Sequence, residues 1–455
     1  MTILRSIPKR SWVLALAAFL ALGGCSAIGD SDEPELDNEA KGGHHDDDDD
    51  DDDDDGGSGV FTDPDVVLGW SELAVETSFA LGTNVTDPFP DARGWSMMYL
   101  AMHDALNAIE PRYRHYAFDG NDPSADPVAA AAQAAHDVMN HIYPGRTAEN
   151  DAELAFWLGQ VPDGAPKTAG INLGQASAAA IIANRANDNM LVFGSYTPDN
   201  PLEPGDYRFT PPFDFVYRPA FGDATTFAMG SVSSVQPGPP PPLFTVGYSI
   251  HFNEVKDFGR KNSTFRSQDQ TNFAYWWLEF IDIQVNRMMQ DITVAKNLDL
   301  IDAVRAFALA QMAEIDATVA MWKAKRTHDF WRPFHAIRLA DTDGNLLTVP
   351  DPTWEPEAVT PPLWEYPSAH TIQCHAVAEV LKRALGTDNV TFSYQTSTAL
   401  PSAPTRTFNK LSTAANECGV SRIMAGYHYR FSVDKGKTMG IDVGKKVHQN
   451  KLKEL

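Results

Sequence analysis

The sequence predicts a predominantly helical body, and three observations carry that prediction. From Val60 onward, apolar residues recur at three- and four-residue steps. Strand-like alternation is scarce. The one long departure, residues 197–243, is rich in Pro, Gly and aromatic residues and ends in Pro239-Pro240-Pro241-Pro242. Such a stretch reads as an irregular connection wrapped over the helices, with a polyproline II segment at its end.

Taken in order, Trp95, Met98, Tyr99, Met102, Leu106 and Ile109 form a helical stripe stopped by Pro111. Ala-rich stretches at 128–143 and 168–188 predict two further helices, the first closed by Pro144-Gly145. After the connection, helices are predicted near 268–293, 301–325, 370–385 and 408–425. In the second of these, Val304, Ala308, Met312, Ile315, Val319 and Trp322 form one apolar stripe, and Lys325 extends it. A lysine on the buried side of a helix needs an anionic partner or a cavity. No repeat at 20–50 residues is visible, which argues against solenoids and propellers.

The chain has 455 residues, 43% hydrophobic and 21% charged, enough to bury a large core. Its net charge of −25 argues against nucleic acid as a general partner, since phosphate-backbone binding needs a basic face. Three cysteines, Cys25, Cys374 and Cys418, are too few for a disulfide scaffold.

The front of the chain reads as an address. Residues 1–25 combine a basic start, an apolar run from Trp12 to Leu22 and Leu22-Gly23-Gly24-Cys25, which looks like a bacterial lipobox. The run is too short to span a bilayer as a mature helix. Cys25 is the expected lipidation site, and the expected location is the cell envelope, lipid-anchored, on the outer-membrane or periplasmic side. Residues 26–59 then form an acidic linker containing ten aspartates, Asp46 to Asp55, and are expected to be extended and disordered as a spacer. Calcium binding by that run is a further expectation, though it lacks a preformed cage. The remaining chain is divided into an amino-terminal helical half with its connection, 60–243, and a catalytic helical half, 244–455.

Three clusters carry chemistry: Lys325 to Pro333, Tyr366 to His370 and Ser421 to His428. Ser368 stands where a helix should begin and can cap it, leaving first-turn N–H groups to face an anion. His370 shares a face with Cys374, Val377 and Leu381, so it points inward. Arg422 shares a face with Leu411, Ala415 and Cys418. His428 would be turned away by an unbroken helix, but Gly426 offers a break that brings it back. Two guanidinium groups, an ammonium, a hydroxyl and a helix N-terminus describe a site for a tetrahedral oxyanion. Of two histidines there, one can bond the central atom and the other shuttle protons.

The pattern Lys-x6-Arg-Pro, Pro-Ser-x-His and Ser-Arg-x5-His resembles the vanadium-dependent haloperoxidases and their relatives in the type 2 phosphatidic acid phosphatase superfamily. Met97 to Ile109, the Arg266-to-Trp277 region and Trp331-Arg332-Pro333 resemble the bacterial haloperoxidase branch, so the likeness spans roughly residues 60–455. The resemblance implies an all-α fold in which helical bundles enclose the oxyanion. It also implies that His428 ligates vanadium(V) and that Lys325, Arg332, Arg422, Ser368 and the Ala369 N–H hold the vanadate oxygens. His370 becomes the acid–base residue, Trp322 and Leu363 the halide side, and Glu279 (failing it, Asp282) the acid that orients Arg422. Hydrogen peroxide and halide are the implied substrates.

Two departures stand out: Ala369 replaces the family's usual glycine, and Ser432 stands where an acid often follows the metal histidine. An alanine there still leaves its N–H free provided φ is negative. His328, His335 and His375 lack such company and read as structural or surface residues. A serine-nucleophile reading of Ser368 is poor, since no elbow sequence surrounds it. Cys374 and Cys418 are each one turn from a site residue, so either a disulfide or two buried thiols fits the sequence. Because vanadate and phosphate share charge and shape, an acid phosphatase acting on phosphate esters through a phosphohistidine, with no cofactor, is the alternative. A non-catalytic oxyanion- or cation-binding lipoprotein is the third reading.

Overall fold

The computed structural model describes Phe61, residues 63–198 and residues 203–455. The expected signal peptide with Cys25, and the acidic stretch 26–59 with Asp46–Asp55, lie outside the described residues.

The helices α1 (Asp65–Leu81), α2 (Thr83–Thr86), α3 (Phe89–Asn107), α4 (Pro127–Ile142), α5 (Thr147–Leu158) and α6 (Ala165–Arg185) precede the long connection. After it come α7 (Val246–Phe258), α8 (Gln268–Trp276), α9 (Ile281–Ala295), α10 (Leu300–His328), α11 (Pro333–Arg338), α12 (Ala369–Ala384), α13 (Leu411–Met424) and α14 (Arg430–Asn450). Among the described residues the one sheet is an antiparallel pair, β1 (Phe392–Gln395) with β2 (Thr405–Phe408), Phe392 opposite Phe408. No helix of the described residues is long and apolar enough to cross a membrane. The all-α expectation holds.

The central rod is α10. Asp299 caps it through the Asp302 N–H, and its residues are buried almost throughout, Lys325 included. It packs on α3 from the first half of the chain and on α12 from the second. The connection wraps the bundle as predicted. The Asp316 carboxylate, inside α10, accepts from the Phe227, Ala228 and Met229 N–H groups at 2.6–3.0 Å.

The helix predicted over 268–293 is broken. α8 ends at Trp276, Trp277 and Leu278 close its last turn, and Phe280 is extended before α9 begins. The intervening Glu279 is tied down on both sides: its N–H donates to Thr398 Oγ1, and its carbonyl accepts from Gln284.

Helix α14 was not expected. Its Gly436, Gly440 and Gly444, at four-residue spacing, let it lie directly on α12. A Cβ at Gly444 would sit 2.5 Å from the Ala376 carbonyl, and one at Gly440 would strike that of Ile372. This seam holds the α12 N-terminus in place.

Candidate active site

Four chain segments meet at one buried point. The last turns of α10 bring Lys325, and the turn before α11 brings Arg332. The start of α12 brings Ser368, Ala369 and His370, and α13 with the turn after it brings Arg422 and His428. Gly426 makes that turn with φ 81°, packed so tightly that a Cβ would lie 2.5 Å from the Gly259 carbonyl. The helix break expected there is present.

Lys325, fully buried, donates to the carbonyls of Trp364 and Glu365, both at 2.8 Å. Arg332 donates through Nε to the Leu363 carbonyl at 2.7 Å, and through Nη1 to the Tyr427 carbonyl at 3.0 Å and to His428 Nε2 at 3.1 Å. A guanidinium only donates, so His428 Nε2 is an acceptor and its proton sits on Nδ1. Nδ1 lies 2.8 Å from Glu365 Oε1, which also accepts from the Tyr429 N–H at 3.1 Å. The Nε2 lone pair is thereby held toward the cations.

Ser368 occupies the N-cap position of α12, but its side chain does not cap. It accepts from Thr371 Oγ1 at 2.8 Å. The Ala369 and His370 N–H groups, in the first helical turn, have no intrahelical acceptor. Ala369 begins the helix, so its φ is negative and the methyl group costs nothing there. His370 is held through the Glu279 backbone carbonyl, and its Nε2 is buried with no partner. Arg422 donates Nε to Ser421 at 3.1 Å, stacks over Tyr427 at 5.4 Å and leaves Nη2 buried without a partner.

The electrostatics show what the pocket lacks. Burial, and then the charge of Arg332, pull Lys325 well below the usual lysine range. Burial pulls Arg422 down to about 10, with Arg332 adding to the effect. Both histidines are held well below the usual imidazole value by burial and by the neighbouring cations. Against these stands Glu365, pushed up to about 7 by burial despite Lys325 and Arg332. Three buried cations with one carboxylate, two unpartnered nitrogens and a free helix start need an anion, and a tetrahedral oxyanion such as vanadate fits that donor set.

One assignment is corrected. Glu279 does not orient Arg422: its carboxylate accepts from Arg287 at 2.7 Å and from the Ser397 N–H and hydroxyl. Asp282 does not appear beside Arg422 either; it is buried, held well above the usual carboxylate range by burial and by Glu314 and Asp91. The acid at the site is Glu365, which sequence reasoning missed. It stands three residues before Ser368, in the motif's own approach. Trp322 lies against Phe89 and Phe221 (centroids 4.9 and 6.1 Å) and donates Nε1 to the Tyr217 carbonyl at 3.3 Å. Leu363 is buried and contributes its carbonyl to Arg332. Cys374 and Cys418 are bonded to each other and join α12 to α13.

Fold and site together define a helical-bundle protein built around a buried cluster of Lys325, Arg332, Arg422 and two histidines. Residues 305–454 match the family model of the VCPO second helical-bundle domain. The chain is 25% identical over 486 residues to the vanadium chloroperoxidase of Curvularia inaequalis, across 80% of this chain and 78% of that one. The chain is thus similar to the vanadium-dependent haloperoxidases, most specifically over residues 305–454. Its fold matches that of the first bacterial vanadium-dependent iodoperoxidase (TM-score 0.72, 22% identity, 86% of this chain and 97% of that one). It also matches a holo-type bacterial vanadium-dependent chloroperoxidase (TM-score 0.68, 18% identity, 86% and 98%).

Proposed function

We propose that the protein is a vanadium-dependent haloperoxidase that oxidises halide with hydrogen peroxide. The observation that carries the reading is the His428 Nε2 lone pair, fixed by Glu365 in a pocket of three buried cations. The named relatives favour vanadate as the anion. His428 would ligate it, while Lys325, Arg332, Arg422, Ser368 and the Ala369 N–H would hold its oxygens. When bound, vanadate supplies Lewis-acid activation of peroxide while staying in its highest oxidation state. His370 holds or releases a proton at its free Nε2, and the Glu279 carbonyl fixes its ring. Trp322 and Leu363 wall the halide side. Export and lipid anchoring through Cys25 belong to the same proposal, on the strength of the sequence of residues 1–25.

The same oriented imidazole supports a second reading. A His428 Nε2 lone pair facing a bound phosphate ester is a nucleophile toward phosphorus, with His370 protonating the leaving group. The test uses residues 56–455 dialysed with and without orthovanadate, assayed for peroxide-dependent bromide and iodide oxidation beside aryl phosphate hydrolysis. Vanadate-dependent halide oxidation is expected. Phosphate-ester turnover inhibited by vanadate, with no halide oxidation, would replace the first reading with the second.

A further inference from the structure

The loop over residues 343–349, beyond α11, is built inside out. Its polar side chains are buried and bonded within the loop. Asp343 accepts from the Asn345 N–H and from Thr348 Oγ1, each at 2.7 Å, and Asn345 Oδ1 accepts from the Leu347 N–H at 3.0 Å. Its apolar side chains are the ones left in solvent: Leu346 is 98% exposed, and Leu347 and Val349 are more than half exposed. A loop held rigid by buried polar groups displays leucines that its own packing does not use.

The display continues onto α7. Asn345 Nδ2 donates to the carbonyls of Leu243 (2.7 Å) and Thr245 (3.2 Å), on either side of Phe244. Asn253 Nδ2 donates to the Leu347 carbonyl at 3.2 Å, and Lys256 Nζ to the Val349 carbonyl at 2.6 Å. These bonds lay the loop along α7 from its N-cap to its last turn. Phe244, then Val246 and Ile250 one turn apart on the helix, are likewise more than half exposed. The six side chains form one apolar patch. The charges at its margin cancel, since Arg430 pairs with Glu254 (2.5 Å) and Arg260 with Asp351 (3.1 Å).

We propose that this patch seats in the surface of a lipid bilayer, with Leu346 and Leu347 leading. Two observations favour a bilayer over a second copy of the chain. Leu346 is a protruding tip, which a protein partner must match with a hollow and acyl chains accommodate without one. The chain between Cys25 and the helical body is also long enough. Arg112 lies over Phe61 and pairs with Asp299 at the start of α10, whereas Tyr248 of α7 meets Phe330 just past its far end. The length of α10, 29 residues or about 43 Å, therefore separates Phe61 from the patch. The 35 residues 26–60 reach at most ~120 Å when extended, enough to cover that separation. The neutral margin suits zwitterionic headgroups. The choice of a bilayer rests on the lipid anchoring proposed for Cys25; the patch itself does not.

The test uses the unlipidated chain 26–455, whose two cysteines, Cys374 and Cys418, are bonded to each other. Sedimentation with phosphatidylcholine–phosphatidylethanolamine vesicles is expected to show saturable binding that added salt does not abolish. Leu346→Ser/Leu347→Ser should lower the partition about tenfold with an unchanged circular dichroism spectrum. An environment-sensitive fluorophore on Leu346→Cys should shift to the blue when vesicles are added, and one on Phe156→Cys, at an exposed position of α5, should not. Equal binding by the parent and the double serine variant, or no shift at position 346, would overturn the proposal. Dimers in analytical ultracentrifugation that the double variant loses, without vesicle binding, would also overturn it and assign the patch to a second copy. Palmitate labelling of the full chain in a bacterial host is read in parallel. An unlabelled chain together with intact vesicle binding would remove the anchor while upholding the patch.

Discussion

Glu365 Oε1 lies 2.8 Å from His428 Nδ1, two wholly buried groups 63 residues apart in the chain. The contact fixes which ring nitrogen keeps its proton and therefore which one faces the cations.

Removing that contact should loosen the oxyanion without unfolding the protein. Glu365→Gln is expected to weaken vanadate retention by about 10- to 100-fold, the usual cost of losing a group that orients a ligating histidine. Equilibrium dialysis with vanadium analysis reads the change, and circular dichroism checks the fold. Parent-like retention would separate Glu365 from the site's function. His428→Ala should abolish retention altogether.

The crowding of Lys325, Arg332 and Arg422 predicts an inverted stability order. In anion-free buffer Lys325→Met should unfold at the same temperature as the parent or higher, because one uncompensated buried charge has gone. Orthovanadate at about a hundred times its dissociation constant should stabilise the parent by ~2.7 kcal/mol and the variant far less. Differential scanning calorimetry distinguishes the two. A large drop for Lys325→Met in anion-free buffer would mean that the carbonyls of Trp364 and Glu365 already satisfy the lysine.

The seam between α12 and α14 predicts an unusually costly methyl group. Gly440→Ala places a Cβ against the Ile372 carbonyl and is expected to cost ~1–3 kcal/mol. Because the same seam positions Ser368, oxyanion affinity should fall with stability. Gly386→Ala provides no comparison, since φ there is +68°. Gly145→Ala, where a Cβ meets nothing within 4 Å, is the better control. Equal melting temperatures for Gly440→Ala and Gly145→Ala would refute the close-approach argument.

A pH dependence is expected away from the site. His136 on α4 faces Asp137 and, across to α5, Asp151, each at 2.8 Å, with Trp70 of α1 at its edge. Burial pulls its pKa down, but the two carboxylates outweigh it and the net shift is upward from 6.5. A raised folded-state pKa means stability that is fully present below the unfolded value and lost as pH rises through the folded one. Melting temperatures of the parent should therefore decline above pH 6.5 relative to those of His136→Gln. Parallel profiles for the two proteins would remove the bridge.

Much of this site was legible because its residues lie on strongly periodic helices. The stripe from Val304 to Trp322 predicted α10 and placed Lys325 on its buried face, and Gly426 marked the turn that returns His428. Glu365 was not legible, since it lies among Pro, Trp and Tyr residues outside any helix, where no periodicity shows which way a side chain points. Glu279 was picked out as a residue, but its role falls to its backbone carbonyl, which every residue type carries. Helix α14 was missed because three glycines weaken its helical signature; the contacts that favour it are tertiary. The break before α9 rests likewise on distant partners such as Thr398.

The Cys374–Cys418 bond has one more consequence. Every cysteine among the described residues is in that bond, and both partners sit within a turn of His370 or Arg422. A free thiolate there would be the first group consumed by peroxide or hypohalous acid, passing through sulfenic to irreversible sulfinic and sulfonic acids. Joined sulfurs offer no thiolate to start that sequence. Under the proposed function, the bond thus removes a self-inactivation route within a turn of His370 and Arg422.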